Sequence, residues 1–273
     1  MKFKLFLLSF VAAGLGAFEA RAQKSWWQLD RSPVGLTPTP ESEKRAVVQI
    51  YAARAYSWRG YFGVHSWVAV KEENASEYTV YEVMGFRVES GVPVIRKTHR
   101  QPDSRWMGND PTMLFDLRGE KAAKMIPEIE KAVQSYPYPE FYRLWPGPNS
   151  NTFVSHIMRN TPGIYVELPP HAIGKDWIGE ARPVGWTESG TGVQVSLFGA
   201  LGFSLGLAEG VELNLLGMTF GVDVLRPALK LPFVGRVGFA DKALFGGEES
   251  SPSPVLDQAP GADKVRPLEI RRK

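Results

Sequence analysis

The sequence contains no cysteine among its 273 residues. This absence excludes disulfide bonds, cysteine-ligated zinc, iron–sulfur clusters and a thiol nucleophile. An excess of one charge sign is also missing, because 32 Lys and Arg residues stand against 29 Asp and Glu, for a formal net charge of +3. No basic block of the kind that nucleic acid requires occurs before the last few residues, so we expect no nucleic-acid partner.

Cofactor and metal patterns are absent as well. No G-x-G-x-x-G or P-loop pattern joins a strand to a helix, and the 4 histidines show no H-E-x-x-H spacing. We therefore predict no cofactor and no metal site. What the chain does hold is 44% hydrophobic and 12% aromatic residues, a composition typical of a globular protein of one or two domains.

The N-terminus carries the pattern of an export signal. Lys2 and Lys4 precede an almost wholly apolar run over residues 5–18, and Ala20 and Ala22 fit a cleavage site. Because this run is shorter than the roughly 20 residues that span a bilayer, we predict a cleaved signal peptide over residues 1–22 and an exported, periplasmic protein. The alternative is an uncleaved segment that anchors the protein in the inner membrane.

The rest of the chain divides into a lead-in, one domain and a tail. Residues 23–45 are rich in Pro, Ser and Thr and predict an extended lead-in. We place a single α+β domain at residues 46–245, with its core at 46–165 and a C-terminal β extension at 191–240. Residues 246–273 have few large apolar side chains and predict a disordered tail.

Hydrophobic periodicity predicts the elements of the core. An antiparallel meander is indicated by three β-branched and aromatic segments, at residues 46–54, 62–70 and 78–86. Residues 87–97 are expected to add another hairpin arm. The period then becomes helical, and we predict two main helices at residues 120–136 and 150–159.

The C-terminal extension holds two apolar segments that are rich in glycine, at residues 193–206 and 211–223. Their glycine spacing resembles that of packed membrane helices. Polar residues such as Glu209 and Glu212 interrupt the run, however, and the glycines disfavour a soluble helix. We predict a buried or partner-facing glycine-rich β-hairpin, with peripheral membrane contact through residues 193–222 if an apolar face is exposed.

Two short segments combine the residue types of a possible site. On the second predicted strand, alternation places His65 and Trp67 on one face and Ser66 on the other, core-like face. In the second segment, Asn149 and Ser150 stand where a helix begins. Unpaired backbone N–H groups and the helix dipole favour an anion there and can supply an oxyanion hole.

The order of these elements resembles that of the circularly permuted NlpC-like, papain-related hydrolases and the lecithin retinol acyltransferase group. In those proteins a Cys at a helix start is the nucleophile, a strand His is its base, and a polar residue on the next strand orients the His. The resemblance implies a permuted papain-like core, with the nucleophile at Ser150, the base at His65 and the orienting residue at Glu82. A Ser hydroxyl is far less acidic than a Cys thiol, so it needs a base acting as it attacks.

Five segments carry a longer resemblance, at residues 51–55, 64–67, 145–153, 174–176 and 191–196. With them, the chain from about Val47 through Pro232 resembles the bacterial family called domain of unknown function 3750. This resemblance implies a family without implying an activity.

Two function classes remain open. The first is an exported cell-envelope protein whose non-catalytic groove binds an envelope ligand, such as a peptidoglycan peptide or a lipid, or a partner; here Asn149 and Ser150 only cap a helix, which stabilises it by about 1 kcal/mol. The second is a Ser-dependent hydrolase or acyltransferase that acts on envelope amide or ester bonds through Ser150 and His65. Glu82 could equally pair with an arginine, such as Arg87 or Arg54, or point to solvent. The substrate-binding candidates are Asn149, Asn151, Trp67, Trp145 and Arg59.

Overall fold

The computed structural model describes residues 25–179 and 182–240. The predicted signal peptide and the predicted tail lie outside the described residues. The described part contains two antiparallel sheets and three α-helices, two of them long. The predicted α+β class is therefore confirmed, together with its antiparallel sheet and two main helices.

The first sheet has five strands in the order β4-β3-β2-β1-β5. The three predicted strands are present with slightly different ends, whereas the sequence analysis did not identify the last strand, which pairs with β1. The strands are β1 (Val47–Arg54), β2 (Val64–Lys71), β3 (Thr79–Val83), β4 (Ile95–His99) and β5 (Thr112–Arg118).

The prediction of a hairpin arm over residues 87–97 was wrong in its first half. A short helix, α1 (Phe86–Glu89), occupies that part, because the amides of Val88 and Ser90 bond back to the carbonyls of Gly85 and Arg87. Only the second half extends as β4, which pairs with β3.

Two long helices, α2 (Glu120–Gln134) and α3 (Ser150–Asn160), cover one face of this sheet, which we call the front face. The apolar stripe of α2 is buried against it, with Ile126 and Ile129 at its centre. The front face contributes apolar residues from alternate strand positions to the same core, among them Val48, Ile50, Val64, Val68 and Val70.

The opposite face, which we call the back face, is buried as well. Its core consists of Tyr51, Ala53, Trp67, Ala69 and Val80, covered by Leu36, Trp106 and Met113. Since both faces are covered, every residue of β1 and β2 is buried. The direction in which a side chain leaves β2 therefore decides which of two separate interiors it enters.

The C-terminal part forms a second sheet of seven antiparallel strands in sequence order. Each predicted hairpin arm is itself a hairpin, because Phe198 and Leu216, each followed by glycine, take positive φ values of 53° and reverse the chain. The sequence pattern therefore predicts two strands where the structure has four. The strands of the second sheet are β6 (Val184–Trp186), β7 (Gly192–Leu197), β8 (Leu201–Gly206), β9 (Gly210–Leu215), β10 (Met218–Asp223), β11 (Ala228–Leu231) and β12 (Gly235–Gly238).

In this second sheet the usual arrangement is reversed, because its polar face is buried and its apolar face is exposed. The face turned toward the rest of the protein is polar and buried, with Gln194, Ser196, Glu212, Asn214 and Lys230. The opposite face, which we call the outer face, is exposed and apolar. Its side chains are Val184, Trp186, Val193, Val195, Leu197, Leu201, Phe203, Leu205, Val211, Leu213, Leu215, Phe220, Val222, Leu229 and Val237.

The inner face of the second sheet is held to the rest of the protein by charge. Lys175 Nζ lies 3.2 Å from Glu212 Oε1, and Lys230 Nζ lies 2.9 Å from the same oxygen and also contacts Glu167. Buried charges of this kind persist only when they are paired, since each one costs several kcal/mol to desolvate. The segment that contains Glu167 and Lys175 therefore lies between α3 and the second sheet.

Candidate functional site

A pocket with a volume of about 210 Å³ opens where β2 and α3 begin. Its walls are mostly aromatic and aliphatic, and Arg59 is the only charged residue among them. The lining residues are Ala55, Trp58, Arg59, Phe62, Gly63, Val64, Tyr142, Leu144, Trp145, Asn149, Ser150, Asn151 and Ile173.

The start of α3 is built by Asn149. Its Oδ1 accepts hydrogen bonds from the backbone N–H groups of Asn151 at 2.9 Å and Thr152 at 3.2 Å. Its Nδ2 donates to the carbonyls of Leu144 and Ile173. Asn149 is therefore a helix cap that also fixes two loops against the helix, and Ser150 follows it as the first helical residue.

Asn151 joins this helix start to the first sheet. Its Nδ2 donates to the carbonyls of Val64 and Ile173, and its Oδ1 accepts a hydrogen bond from Ser66 Oγ at 2.9 Å. Both Ser66 and Asn151 are buried. Ser66 lies on the front face, so this bond places Ser150 on that face as well.

Trp145 and Arg59 stand at the mouth of the pocket. Trp145 Nε1 donates to the carbonyl of Leu216, at the tip of a hairpin of the second sheet, at 2.7 Å. The Arg59 guanidinium lies over the ring of Trp58, 5.4 Å from its centroid. The mouth is thus aromatic and cationic, and it adjoins the second sheet.

The other three predicted site residues lie on the back face. His65 Nε2 is 3.1 Å from Glu82 Oε2, as expected for an oriented histidine. The His65 ring stacks on Trp106, with centroids 3.7 Å apart, and on Trp67 at 5.8 Å. Trp67 itself donates to the carbonyl of Pro102.

Electrostatics keep this pair in a defined protonation state. Burial lowers the pKa of His65 and outweighs the opposing effect of Glu82, so the ring is neutral and donates from Nε2. For Glu82, burial raises the pKa, but the bond to His65 and the charges of Arg100 and Arg96 together hold the pKa below its usual value. Glu82 is therefore an ionised carboxylate that accepts a hydrogen bond from His65 and lies beside two cations, Arg96 and Arg100.

An arginine partner for Glu82 is predicted from the sequence, but the structure places two other arginines there in place of Arg87 or Arg54. Arg96 and Arg100 each lie 3.7 Å from Glu82, and Arg100 also lies over the Trp67 ring. With Arg31, Arg105 and Trp106 they line a second cavity of about 210 Å³. The adjacent basic residues Arg96 and Lys97 are typical of a surface strand, and only the pairing of β3 with β4 places Arg96 opposite Glu82.

The eight predicted site residues thus form two separate groups. Five of them line the pocket at the front: Ser150, Asn149, Asn151, Trp145 and Arg59. His65, Glu82 and Trp67 lie together at the back. The structure does not bring Ser150 and His65 together, because adjacent strand residues point to opposite faces and α3 packs on the face of Ser66.

In the described ranges 25–179 and 182–240, no group of three or more His, Asp or Glu side chains is arranged to hold a metal ion. No helix in those ranges has the length and apolar character needed to cross a bilayer.

Fold and site together define an α+β protein with an apolar pocket at a helix start and an inverted second sheet. Residues 45–177 match the family described as "Protein of unknown function (DUF3750)", which supports the family resemblance predicted from the sequence. The match ends at Trp177, so it includes the pocket and the His65–Glu82 pair but not the second sheet, short of the extent that the sequence analysis expected. Neither a curated protein nor a solved structure matches the chain. The papain-like core therefore stays a prediction.

Proposed function

We propose that this protein is an exported envelope protein that binds an amphiphilic ligand non-covalently, with the ligand's acyl chain in the pocket at the start of α3. The observation that carries the proposal is the composition of that pocket. Hydrocarbon and aromatic side chains form its walls, Ser150 lies at the helix start, and no His, Asp or Glu lines it. Such a lining binds hydrocarbon and supplies no base.

The size and shape of the pocket favour a chain over a compact molecule. Pockets that enclose a whole small molecule measure roughly 300–1,000 Å³, whereas this one holds about 210 Å³ and is open. It therefore takes one end of a ligand and leaves the remainder outside. A flexible acyl chain suits this arrangement better than a polar peptidoglycan peptide does, because side chains such as Phe62, Leu144 and Ile173 offer a peptide no hydrogen bonds.

The polar end of the ligand is specified by two positive features. The helix dipole of α3 places partial positive charge beside Ser150, where the Asn149 side chain already accepts from the N–H groups of Asn151 and Thr152. Arg59 adds a full charge at the mouth. Both favour a carboxylate, phosphate or carbonyl group over a cation. The preferred ligand is thus an acyl amphiphile with an anionic head.

The same geometry argues against the hydrolase alternative. A serine nucleophile needs a general base within about 2.6–3.2 Å. His65 is instead hydrogen-bonded to Glu82 and stacked on tryptophans at the back of the sheet. Ser150 has a sufficient role as the residue that follows the Asn149 cap.

Titration of the full chain with a dansyl-labelled fatty acid tests the binding role. We expect saturable binding that weakens about tenfold or more in Leu144→Glu, because that variant places a carboxylate in the apolar mouth. The matched control is Val92→Glu, which changes an exposed aliphatic residue that does not line the pocket. Equal affinity in wild type and Leu144→Glu would remove the pocket from the proposal.

Labelling with a fluorophosphonate probe tests the alternative. We expect no labelling of the wild type, and we expect Ser150→Ala to keep its affinity for the fatty acid. If the wild type is labelled and both Ser150→Ala and His65→Ala abolish that labelling, the protein has an activated serine and the non-catalytic proposal fails.

A further inference from the structure

The outer face of the second sheet is a continuous apolar surface. One row of side chains in register crosses all seven strands from Trp186 to Val237 without a polar residue. Soluble proteins rarely expose apolar patches of more than a few hundred Å², and larger ones mark an interaction site. An exposed apolar face of this kind is typical of a docking surface.

The apolar character continues beyond the strand ends. Three hairpins have their tips at the same end of the strands, and an exposed apolar residue stands at each tip: Phe198, Leu216 and Phe233. Each has a positive φ, of 53°, 53° and 67°, a conformation that costs a bulky side chain roughly 1–2 kcal/mol. Backbone strain of this kind that exposes apolar side chains is typical of a functional surface.

The charges of this region suit an anionic partner. All four acidic residues of the described segment 182–240 are buried, namely Glu188, Glu209, Glu212 and Asp223. Arg182 is exposed in the same segment. Arg59, which lines the pocket, is exposed as well, and so is Arg143, which lies between the lining residues Tyr142 and Leu144 in the sequence. No exposed carboxylate of segment 182–240 would repel a negative surface.

The hairpin tips are continuous with the pocket. Phe233 packs edge to face on Phe62, a pocket residue, with ring centroids 5.4 Å apart. Leu216 accepts the hydrogen bond from Trp145 at the pocket mouth. A partner that covers the outer face and these tips therefore also reaches the opening of the pocket.

We infer that the outer face and its hairpin tips dock on a lipid bilayer that contains anionic headgroups. This inference rests on the proposed function only for the role of the pocket, which would then receive its acyl chain from the same bilayer. Hydrocarbon accepts an apolar face without shape complementarity, and Trp58 and Trp145 would lie at the interface that tryptophan prefers. A second copy of the chain is the competing occupant. Protein interfaces have a polar rim, however, whereas the border of this face at the hairpin tips is apolar, with Phe198, Leu216 and Phe233.

A site-specific probe tests the docking, and the absence of native cysteine makes it simple. The full chain carries Leu213→Cys on the outer face, labelled with the environment-sensitive fluorophore NBD. The matched control is Lys121→Cys on the exposed side of α2. Vesicles of phosphatidylethanolamine with phosphatidylglycerol are compared with vesicles of phosphatidylcholine alone.

We expect the probe at position 213 to shift to the blue on the anionic vesicles and to be quenched by doxyl-labelled acyl chains. The probe at position 121 stays unchanged, and higher salt weakens binding because exposed arginines contribute. Phe203→Glu abolishes co-flotation with the anionic vesicles, while Lys121→Gln, which makes the same change in charge, does not.

Three results would overturn the docking. They are a water-exposed probe at position 213 on vesicles that co-float with the protein, an absence of co-flotation, and a blue shift that depends on protein concentration without lipid. The last of these would assign the face to a second copy of the chain. Fatty-acid binding by the unaltered pocket is measured without vesicles, so its failure and the failure of docking are separate outcomes.

Discussion

Ser66 and Asn151 hold the start of α3 on the first sheet through a buried hydrogen bond of 2.9 Å from Ser66 Oγ to Asn151 Oδ1. Because neighbouring strand residues point in opposite directions, this bond also commits His65 to the back face. A single register choice thus creates the pocket beside Ser150 and the His65–Glu82 pair as two separate sites.

The Asn149 cap should contribute measurably to stability. Asn149→Ala removes the acceptor for two N–H groups and two donated bonds to loop carbonyls. We expect a loss of about 1–2 kcal/mol from the cap alone, measured by urea unfolding. Ser150→Ala is the control and should change stability by less than about 0.5 kcal/mol. A stable Asn149→Ala protein would contradict the assigned role of the cap.

His171 should make the fold sensitive to acid. The side chain is fully buried, neither ring nitrogen has a hydrogen-bond partner among the described residues, and burial lowers the pKa of His171 to about 3. The unfolded chain binds this proton near pH 6.5, so stability is complete above that pH and falls as the pH decreases toward the folded pKa.

Between pH 7 and pH 5 this residue should cost the wild type about 2 kcal/mol, a loss that His171→Leu avoids. Urea unfolding at both pH values checks it. Because every other titrating group is common to both proteins, the comparison isolates His171. Parallel pH profiles for the two proteins would show that the ring is not neutral and buried.

Lys230 should be indispensable for the polar interior of the second sheet. Its Nζ contacts carboxylates of Glu167 and Glu212 while the residue is fully buried. Lys230→Met leaves both carboxylates without this partner, and we expect a loss of roughly 3–5 kcal/mol in thermal or urea unfolding. Lys121→Met, at an exposed position, serves as the control. Partial recovery in the double variant Lys230→Met, Glu212→Gln would confirm that charge is the cause.

Gly192 should tolerate no side chain. An added Cβ would lie 2.0 Å from the Leu205 carbonyl oxygen and 2.3 Å from Gly206 Cα, both on the paired strand. We expect Gly192→Ala to separate β7 from β8 and to lower the unfolding midpoint sharply. Gly190→Ala adds a Cβ in open space at a positive φ, so it should cost only about 1 kcal/mol. Similar effects of the two substitutions would contradict the close strand approach.

The first half of the fold could be predicted well from the sequence, and the second half less well. Hydrophobic periodicity predicts these elements: a period of two residues marks strands β1 to β3, and a period of 3.6 residues marks helices α2 and α3. Residues 193–206 read as one arm because Phe198 is not a typical turn residue, yet it adopts the left-handed conformation beside Gly199. Turn chemistry that involves a bulky residue leaves no reliable pattern.

The sequence by itself determined the α+β class, the exclusion of thiol chemistry and the alternation that separates His65 from Ser66. It also determined the local start of α3, because an Asn cap acts within one helical turn. Only the tertiary structure decided which sheet face α3 covers, and therefore that Ser150 and His65 belong to different sites. It alone decided that the second sheet turns its polar side inward, because alternation defines two faces, and the buried partners Glu167 and Lys175 select the inner one.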